Sequence, residues 1–439
     1  MYQVLEVCTV ANFMIDPNLD GNLVVYAQQT QLPEIVYFQF GQFHKPLRVI
    51  SSPLLNQGEI IIPRRITPDI SLPNLEYETR LAGKNLFLGP VIGIMVAAKH
   101  YRQPELIASR LIYYSQDKGL IYLFGEEQID KTRQLIVGKF YNPRTSEFEE
   151  GLLPYPNIIY LRTNPQPKIY RHLVEHLGSA NIYNYPFRSN KWTFWSYAST
   201  DSLVSKHLPE TRKFTVPTVR KMLAKYDSVY LKPILLSRGR GIYRLSKVRS
   251  GFKLENSHGT VWRVKSRVEL NRLLRGKIKR KYIAQAEAPF AFNGQKVDFR
   301  IYLHKNRDQI WQRKYIDTRI ARQKSIITNR RNRQYALPGD LGLRQIYGLD
   351  EQTIGDKFTE ITDLSIRAVK TLEAAGHSLG DIAVDFILDK DLHPWLLEAQ
   401  PDYLADKFTP DRVYMRRIVQ PGALDYARGL WEQMTRSGV

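Results

Sequence analysis

The sequence predicts a multidomain chain of mixed α/β and α+β class. A small β-rich N-terminal domain is expected, then an open α/β layer, then a larger α+β region. Three observations carry that expectation. Over the first 85 residues, short apolar segments are broken by turn residues and prolines. At Pro90–Val96 an unbroken apolar run starts an alternation of strands and helices. Beyond residue 186, two hairpin-like strand pairs flank one long amphipathic helix. The boundaries expected from these changes of texture are 1–85, 86–185 and 186–432.

In chain order, Asn22–Ala27, Ile35–Phe40 and Glu59–Ile62 read as strands, and Pro63, Pro68 and Pro73 interrupt regular structure after them. The texture changes from Leu88. Pro90–Val96 is apolar on both faces, as a buried parallel strand requires. Leu106–Gln116 has helical spacing, Gly119–Phe124 and Asn157–Leu161 read as strands, and Pro165 and Pro167 mark a boundary. A helical stretch follows Asn190-Lys191-Trp192, and Val216-Pro217-Thr218 opens a short helix to Ala224. Ser228–Pro233 is a strand, Arg238–Tyr243 a glycine-bearing loop, and Gly259–Val264 another strand. Val268–Leu274 is helical, and Tyr282–Glu287 is a strand or connector. Lys296–His304 and Gln309–Ile316 are expected to pair through a turn at Lys305–Asp308. Ile361, Leu364, Ala368 and Leu372 stripe a helix over Thr359–Ala375 that Gly376 ends. Asp381–Asp389 and Trp395–Ala399 form the last hairpin.

Composition narrows the function classes. With 43% hydrophobic and 24% charged residues the chain is expected to fold rather than stay disordered. No apolar run reaches the roughly 18–20 residues that span a bilayer, and Met1–Asp20 lacks the basic start of a secretory signal. The single cysteine, Cys8, excludes an internal disulfide and a cysteine-cluster metal site, which points to a reducing, cytoplasmic compartment. Lying in the apolar run Val4–Val10, it is expected to be a buried thiol. The formal charge is +21, and residues 265–333 hold 20 Lys and Arg against 5 Asp and Glu. Two readings stay open for that stretch: a solvated basic face around an anion-binding cleft, or a surface for nucleic acid or another anionic polymer. Its densest pieces, Lys277–Lys281 and Arg330–Arg333, are followed by no aromatic platform for stacking bases.

Three constellations carry chemistry. Asp385 and Glu398 each interrupt an apolar strand of the last hairpin, where an isolated carboxylate is expensive. Adjacent antiparallel strands can bring them to one point, and a hard divalent cation such as Mg²⁺ would account for the pair. Gln400, two residues beyond Glu398, faces the same way. The alternative is that nearby Lys or Arg neutralises both acids, or that they lie exposed on an edge. The second constellation is Tyr230-Leu231-Lys232-Pro233 followed by Ser237-Arg238-Gly239-Arg240-Gly241. A lysine leaving a strand beside backbone N–H groups of a glycine-bearing loop suits phosphate oxygens, although an ordinary tight turn has the same composition. The third is Asp298-Phe299-Arg300, with Arg319 on the partner strand and Asn329 beyond. These arginines suit a transferring phosphoryl group, or else a solvated sheet face.

Taken together and in order, the pieces resemble the ATP-grasp superfamily, and more narrowly its YheC/YheD branch of endospore coat-associated proteins. The residues that carry the match are Asn190-Lys191-Trp192, Pro209-Glu210-Thr211, Leu231-Lys232-Pro233 with Gly239-Arg240-Gly241, and Tyr282-Ile283-Ala284-Gln285. They continue with Asp298-Phe299-Arg300, Thr328-Asn329, Gly380-Asp381-Ile382-Ala383-Val384-Asp385 and Trp395-Leu396-Leu397-Glu398. Leu88–Ile94 resembles the strand that precedes the grasp domain in that branch. The resemblance implies a two-subdomain ATP-grasp fold after an open α/β pre-ATP-grasp layer, with ATP and Mg²⁺ as cofactors. It implies that Lys191 and Lys232 contact ATP phosphates, that Ser237, Gly239 and Gly241 close over them, and that Gln285, Ala286 and Glu287 form the adenine-side connector. Asp298 would face the ribose, Arg300 and Arg319 the γ-phosphate or an acyl phosphate, and Asn329 the phosphate–metal cluster. Asp385, Glu398 and Gln400 would hold Mg²⁺.

Ligation of an unidentified carboxylate to an unidentified amine is the implied reaction, with sporulation as its setting and spore-coat proteins as partners, in the mother cell or at the coat. The superfamily usually ends its metal motif Glu-X-Asn, whereas Gln400 stands here, and no glycine pair follows Thr328-Asn329. A nucleotide-binding coat component without catalysis therefore stays open beside the ligase, as does the anionic-polymer binder.

Overall fold

Eight short strands fill the first stretch: β1 (Cys8–Val10), β2 (Asn12–Asp16), β3 (Leu23–Ala27), β4 (Ile35–Phe40), β5 (Phe43–Ser52), β6 (Glu59–Pro63), β7 (Glu78–Ala82) and β8 (Asn85–Gly89). They form one mixed sheet in the order β1-β7-β8-β4-β5-β3-β6-β2. The alternation that predicts β4 is real: Val36, Phe38 and Phe40 are buried, while Ile35 and Tyr37 face solvent. β1, β2, β5, β7 and β8 were not expected. In β5 only Leu47 is fully buried, and Pro46 and the charged residues around it hide the strand pattern. Asn85–Gly89 carries the sheet past the expected change of texture at Leu88.

The computed structural model describes residues 8–10, 12–27, 32–67, 70–107, 118–185, 191–236, 239–279, 281–288, 291–403, 415–419 and 421–436. The chain divides into two units, one of Met1–Pro186, Lys305–Ile310 and Arg416–Val439, the other of Phe187–His304 and Trp311–Met415. The Cys8 side chain, Pro68 and all but the first two residues of the expected Leu106–Gln116 helix lie outside the described residues. Leu106 ends a single 3₁₀ turn, Pro104–Leu106.

The first unit holds a second sheet: β9 (Val91–Met95), β10 (Leu120–Phe124), β11 (Ile129–Asp130), β12 (Leu135–Asn142), β13 (Glu147–Pro154), β14 (Ile158–Leu161) and β15 (Ile182–Tyr183). Its order is β11-β12-β10-β9-β14-β15, with β13 paired to β12. β9 is central, parallel to both neighbours and buried along its whole length, as its unbroken apolar run requires. Helix α1 (Ala98–Arg102) follows β9, and α2 (Pro167–Leu177) opens on Pro167. Of the two prolines expected to mark a boundary, Pro167 starts a helix, where a missing N–H costs nothing, and Pro165 lies just before it. The C-terminal helix, Leu424–Arg436, places Leu424, Ala427 and Trp431 in one core with Ile94, Tyr160 and Tyr183. Its buried Arg428 is paired with Glu78.

In the second unit, β16 (Thr211–Lys213), β17 (Ser228–Pro233), β18 (Tyr243–Val248), β19 (Gly251–Asn256), β20 (Val261–Val264) and β21 (Tyr282–Ala286) form an antiparallel sheet ordered β16-β21-β17-β18-β19-β20. Helices α3 (Lys191–Ala198), α4 (Val216–Lys225) and α5 (Arg267–Lys277) belong to this part of the chain. Val219 and Leu223 of α4 and Leu270 and Leu274 of α5 are buried with Val229, Leu231 and Leu245 of the sheet, each worth about 1.5–3 kcal/mol of apolar burial.

A second sheet of this unit contains β22 (Ala291–Phe292), β23 (Gln295–Lys305), β24 (Trp311–Ala321), β25 (Arg333–Pro338), β26 (Asp381–Leu388) and β27 (Pro394–Gln400), ordered β25-β24-β23-β26-β27 with β22 on β23. Helices α6 (Gly339–Tyr347) and α7 (Glu351–Ala374) follow β25. α7 starts eight residues before the expected Thr359, because Asp350 caps it by accepting from Thr353 N at 2.8 Å. Ile361, Leu364, Ala368 and Leu372 share a core with Phe299, Ile301, Val384 and Phe386. Period two then sends Asp298, Arg300, Asp385, Glu398 and Gln400 to the opposite face. The architecture is multidomain α/β and α+β, with β-rich subdomains. Among the described residues no helix is long and apolar enough to cross a membrane.

Candidate functional site

Strand register assembles the site. Arg300 on β23 stands opposite Asp385 on β26, and Asp385 stands opposite Glu398 on β27. Arg300 Nε and Nη2 donate to the two Asp385 oxygens at 2.6 and 2.9 Å. From β24, Arg319 Nη2 lies 3.1 Å from Asp385 Oδ1, and Arg319 Nε donates to Asp298 Oδ1 at 2.6 Å. The Thr328 hydroxyl donates to the other Asp298 oxygen. Gln400 Nε2 donates to Glu398 Oε1 at 2.6 Å, and its Oε1 accepts from Arg300 Nη2 at 3.1 Å.

The other sheet supplies one lysine and helix α3 a second. Lys232 Nζ, at the end of β17, donates to Gln285 Oε1 of β21 at 2.6 Å, and Gln285 Nε2 donates to Thr211 Oγ1 at 3.0 Å. Lys191, the first residue of α3, donates from Nζ to Leu236 O at 2.9 Å and lies 3.6 Å from Glu398 Oε2. Cations and acids from five strands and one helix thus share one mostly buried network.

The electrostatics follow from that burial. Desolvation pushes Lys232 down from 10.5 to about 8, and Lys191 adds to the fall, while Glu398, Asp298 and Asp385 oppose it. Asp385 is buried, which alone would raise it, yet Arg300 and Arg319 hold it well below the usual carboxylate range. Asp298 has one guanidinium partner, and burial pushes it up.

The glycine loop closes on Asn329. Gly239 has φ +72°, and a Cβ there would lie 2.4 Å from both Asn329 Nδ2 and Ile327 Cδ1. Gly241 has φ +70°, with the Tyr282 hydroxyl at 2.9 Å from a Cβ position. Both positions therefore require glycine. Ser237 and Arg238 lie outside the described residues.

Most of the residues singled out in the sequence are brought together: Lys191, Lys232, Gln285, Asp298, Arg300 and Arg319 join Asp385, Glu398 and Gln400. The Glu287 side chain is not among them. It is committed to a separate ion cluster with Arg244, Lys296 and Ser228. Ala286 N is bound to Glu210 O at 2.8 Å. The alternative reading of Asp385 and Glu398, that basic side chains neutralise them, describes their partners in this structure.

A model for the family described as "YheC/D like ATP-grasp" matches residues 179–430, more than half of the chain. The chain belongs to this ATP-grasp family. ATP-grasp proteins are typically carboxylate–amine ligases that use ATP and Mg²⁺ and pass through an acyl phosphate. The endospore coat-associated protein YheD of Bacillus subtilis (strain 168) is 22% identical over 413 residues, covering 86% of this chain and 85% of that protein. Among solved structures, the ATP-grasp ligase PsnB complexed with minimal precursor, Mg and ADP is similar at TM-score 0.42 and 11% identity, covering 79% of this chain and 98% of that one. The VanG D-Ala:D-Ser ligase from Enterococcus faecalis is similar at TM-score 0.44 and 11% identity, covering 77% and 98%.

The donor set of this ATP-grasp chain fits a hard cation: two carboxylates and an amide, all with oxygens to offer, converge from adjacent strands. Gln400 turns its amide nitrogen toward the acids, so presenting oxygen to a cation requires the amide to turn over. Sequence reasoning gave Thr211 no role and missed Asp317. Asp317 is fully buried on β24, accepts from Tyr302 OH at 3.0 Å, and burial raises its carboxyl. It lies two residues before Arg319, so strand period two was the signal that could have found it.

Proposed function

We propose that this chain is an ATP- and Mg²⁺-dependent ligase that joins a carboxylate to an amine. The observation that carries it is the convergence of Lys191, Lys232, Arg300 and Arg319 on Asp385, Glu398 and Gln400. In a phosphoryl transfer the protein supplies position and charge rather than a covalent nucleophile. Lys191 and Lys232 bind phosphate oxygens, with Gly239 and Gly241 of the loop closing over them. Gln285, Ala286 and Glu287 form the adenine side through backbone groups, Asp298 faces the ribose, and Asn329 lies by the phosphates. Arg300 and Arg319 are the catalytic pair: they neutralise charge on the transferring phosphoryl and on the carboxylate that accepts it. Asp385, Glu398 and Gln400 would hold Mg²⁺, which when bound neutralises phosphate charge. The division into domains 1–85, 86–185 and 186–432 belongs to the same proposal, supported by one sheet ending at Gly89 and the next at Tyr183. So does a spore-coat or mother-cell setting, supported by the coat-associated relative.

The test is phosphate release from ATP over pooled amino acids, short peptides and dicarboxylates, with mass detection of new amides. Carboxylate-dependent phosphate and a matching amide are expected. Nucleotide binding without phosphate release for any carboxylate would leave a non-catalytic coat component. Gln400 is the observation that favours this second reading, and Gln400→Asn separates the two. The ligase reading expects metal-dependent turnover preserved or raised, because the amide oxygen regains the family's usual reach.

A further inference from the structure

A cluster outside the ATP-grasp site carries a second chemistry. On α2 of the first unit, His172, Glu175 and His176 follow the spacing i, i+3, i+4. At 100° per residue, all three fall within roughly 100° of helix circumference. Ile169, Leu173 and Leu177 are buried on the core side and fix how the helix is rotated. One ring nitrogen of each histidine and one Glu175 carboxylate oxygen lie within 4.8 Å of one another. The histidine rings are 4.3 Å apart.

The hydrogen bonds around the rings set which atoms are offered. His176 Nδ1 lies 2.8 Å from the His172 carbonyl oxygen. A carbonyl only accepts, so Nδ1 carries the proton and the Nε2 lone pair is left for a cation. Tyr155, fully buried under the helix, holds His172 Nε2 at 2.8 Å through its hydroxyl. That hydroxyl accepts as well as donates, so it leaves His172 Nδ1 for the same cation. Bonds from the non-coordinating nitrogen to a carbonyl or a hydroxyl are what orient metal-bound histidines.

We infer that His172, Glu175 and His176 bind a divalent transition-metal ion of the zinc class, with water completing four-coordination. Two imidazoles and one carboxylate disfavour Mg²⁺ and Ca²⁺, which prefer all-oxygen sets, and suit Zn²⁺ or its neighbours. Donors about 2.0–2.2 Å from one tetrahedral ion stand roughly 3.3–3.6 Å apart, so the three side chains, within 4.8 Å of one another, draw together by small rotations to close the set.

The test uses untagged full-length protein, equilibrium dialysis against Zn²⁺ with metal quantification, and excess Mg²⁺ to occupy the carboxylate site of the other unit. One equivalent of Zn²⁺ that Mg²⁺ does not displace is expected. Glu175→Gln and His176→Gln should each weaken it by at least about tenfold, and Glu398→Gln should not. Co²⁺ in place of Zn²⁺ should give visible absorption bands that the same two variants lose. Glu175 is exposed, so its variant keeps the fold, which thermal unfolding checks. No retained Zn²⁺, or Zn²⁺ held equally by both helix variants, overturns the site. Zn²⁺ lost only in Glu398→Gln overturns it as well, because the metal then belongs to the carboxylates of the other unit.

Discussion

Lys232 is the residue whose environment does most to set the pH behaviour of the site. Folding lowers it from 10.5 to about 8, so the unfolded chain holds its proton more tightly than the folded one. The cost of burying the charge is carried in full below pH 8, and stability rises between about pH 8 and 10.5 as that cost disappears. A bound polyphosphate has the opposite preference and favours charged lysine. ATP binding near pH 8.5 should therefore take up a proton, and affinity should fall as pH rises above 8. Calorimetry in two buffers of different ionisation enthalpy reads the uptake. Lys232→Arg should lose it and Lys232→Ala should weaken ATP several-fold, since a charge-assisted contact is worth about 1.5–3 kcal/mol.

Asp385 teaches a different lesson. From the sequence, the two acids admit a shared cation, neutralisation by nearby Lys or Arg, or exposure on an edge. The structure gives Asp385 two guanidinium partners, so Asp385→Asn leaves Arg300 buried without its main counter-charge and Arg319 with Asp298 alone. A loss of about 3–5 kcal/mol is expected for it, and much less for the more exposed Glu398→Gln. Both should abolish Mg²⁺-dependent turnover, and the double variant should be little worse than either. Thermal shifts with ATP, Mg²⁺ and both together check this: a wild type with no extra stabilisation from the combination would sink the shared cation.

Among the elements, the proposed ligase divides the work of holding a ligand between the loop after β17 and the hairpin β26–β27. The hairpin is rigid, with Val384, Phe386 and Leu396 in the core beneath it, so its carboxylates are placed by register. The loop is held by close approach instead. Gly239→Ala puts a methyl into Asn329 and Ile327 at a φ that alanine avoids. ATP affinity should drop at least fivefold in Gly239→Ala, with only a small change in unfolding midpoint, because Gly239 lies outside the two large cores of its unit and the loop enters only a small cluster, through Ile242 with Tyr230 and Ile326. An unchanged ATP Kd in Gly239→Ala would remove the loop from the site. Ser228–Pro233 was legible because it is a nearly unbroken buried run. β19 was missed although Phe252 and Leu254 give it an apolar face, because Lys253, Glu255 and Asn256 leave too short a pattern to read.

Over the whole molecule, the +21 charge makes any polyanion a potential ligand. The ligase reading expects ATP affinity that survives 200 mM salt within about tenfold and is weakened in Lys232→Ala. A basic belt acting as a polymer binder behaves otherwise. Its affinity for single-stranded RNA would fall by several orders of magnitude between 50 and 200 mM salt and would ignore Lys232. Filter binding of RNA and calorimetry of ATP on the same wild-type and Lys232→Ala samples decide between the two.

The sequence by itself determined which strands are buried and which residues interrupt them with charge, because both are local: β9 is apolar throughout, and Asp385 and Glu398 stand alone among apolar neighbours. It also determined family membership, through short motifs in a fixed order. It could not assign partners. Arg300 meets Asp385 across 85 residues, and whether an acid faces a cation, a second acid or water depends on strand register and sheet order. Only the tertiary structure decided that the acids are neutralised by Arg300, Arg319 and Lys191, that Glu287 serves a separate ion cluster, and that Gln400 turns its nitrogen inward. Pairing energies depend on distances of a few ångströms between residues far apart in the chain, and a linear sequence carries no such distance.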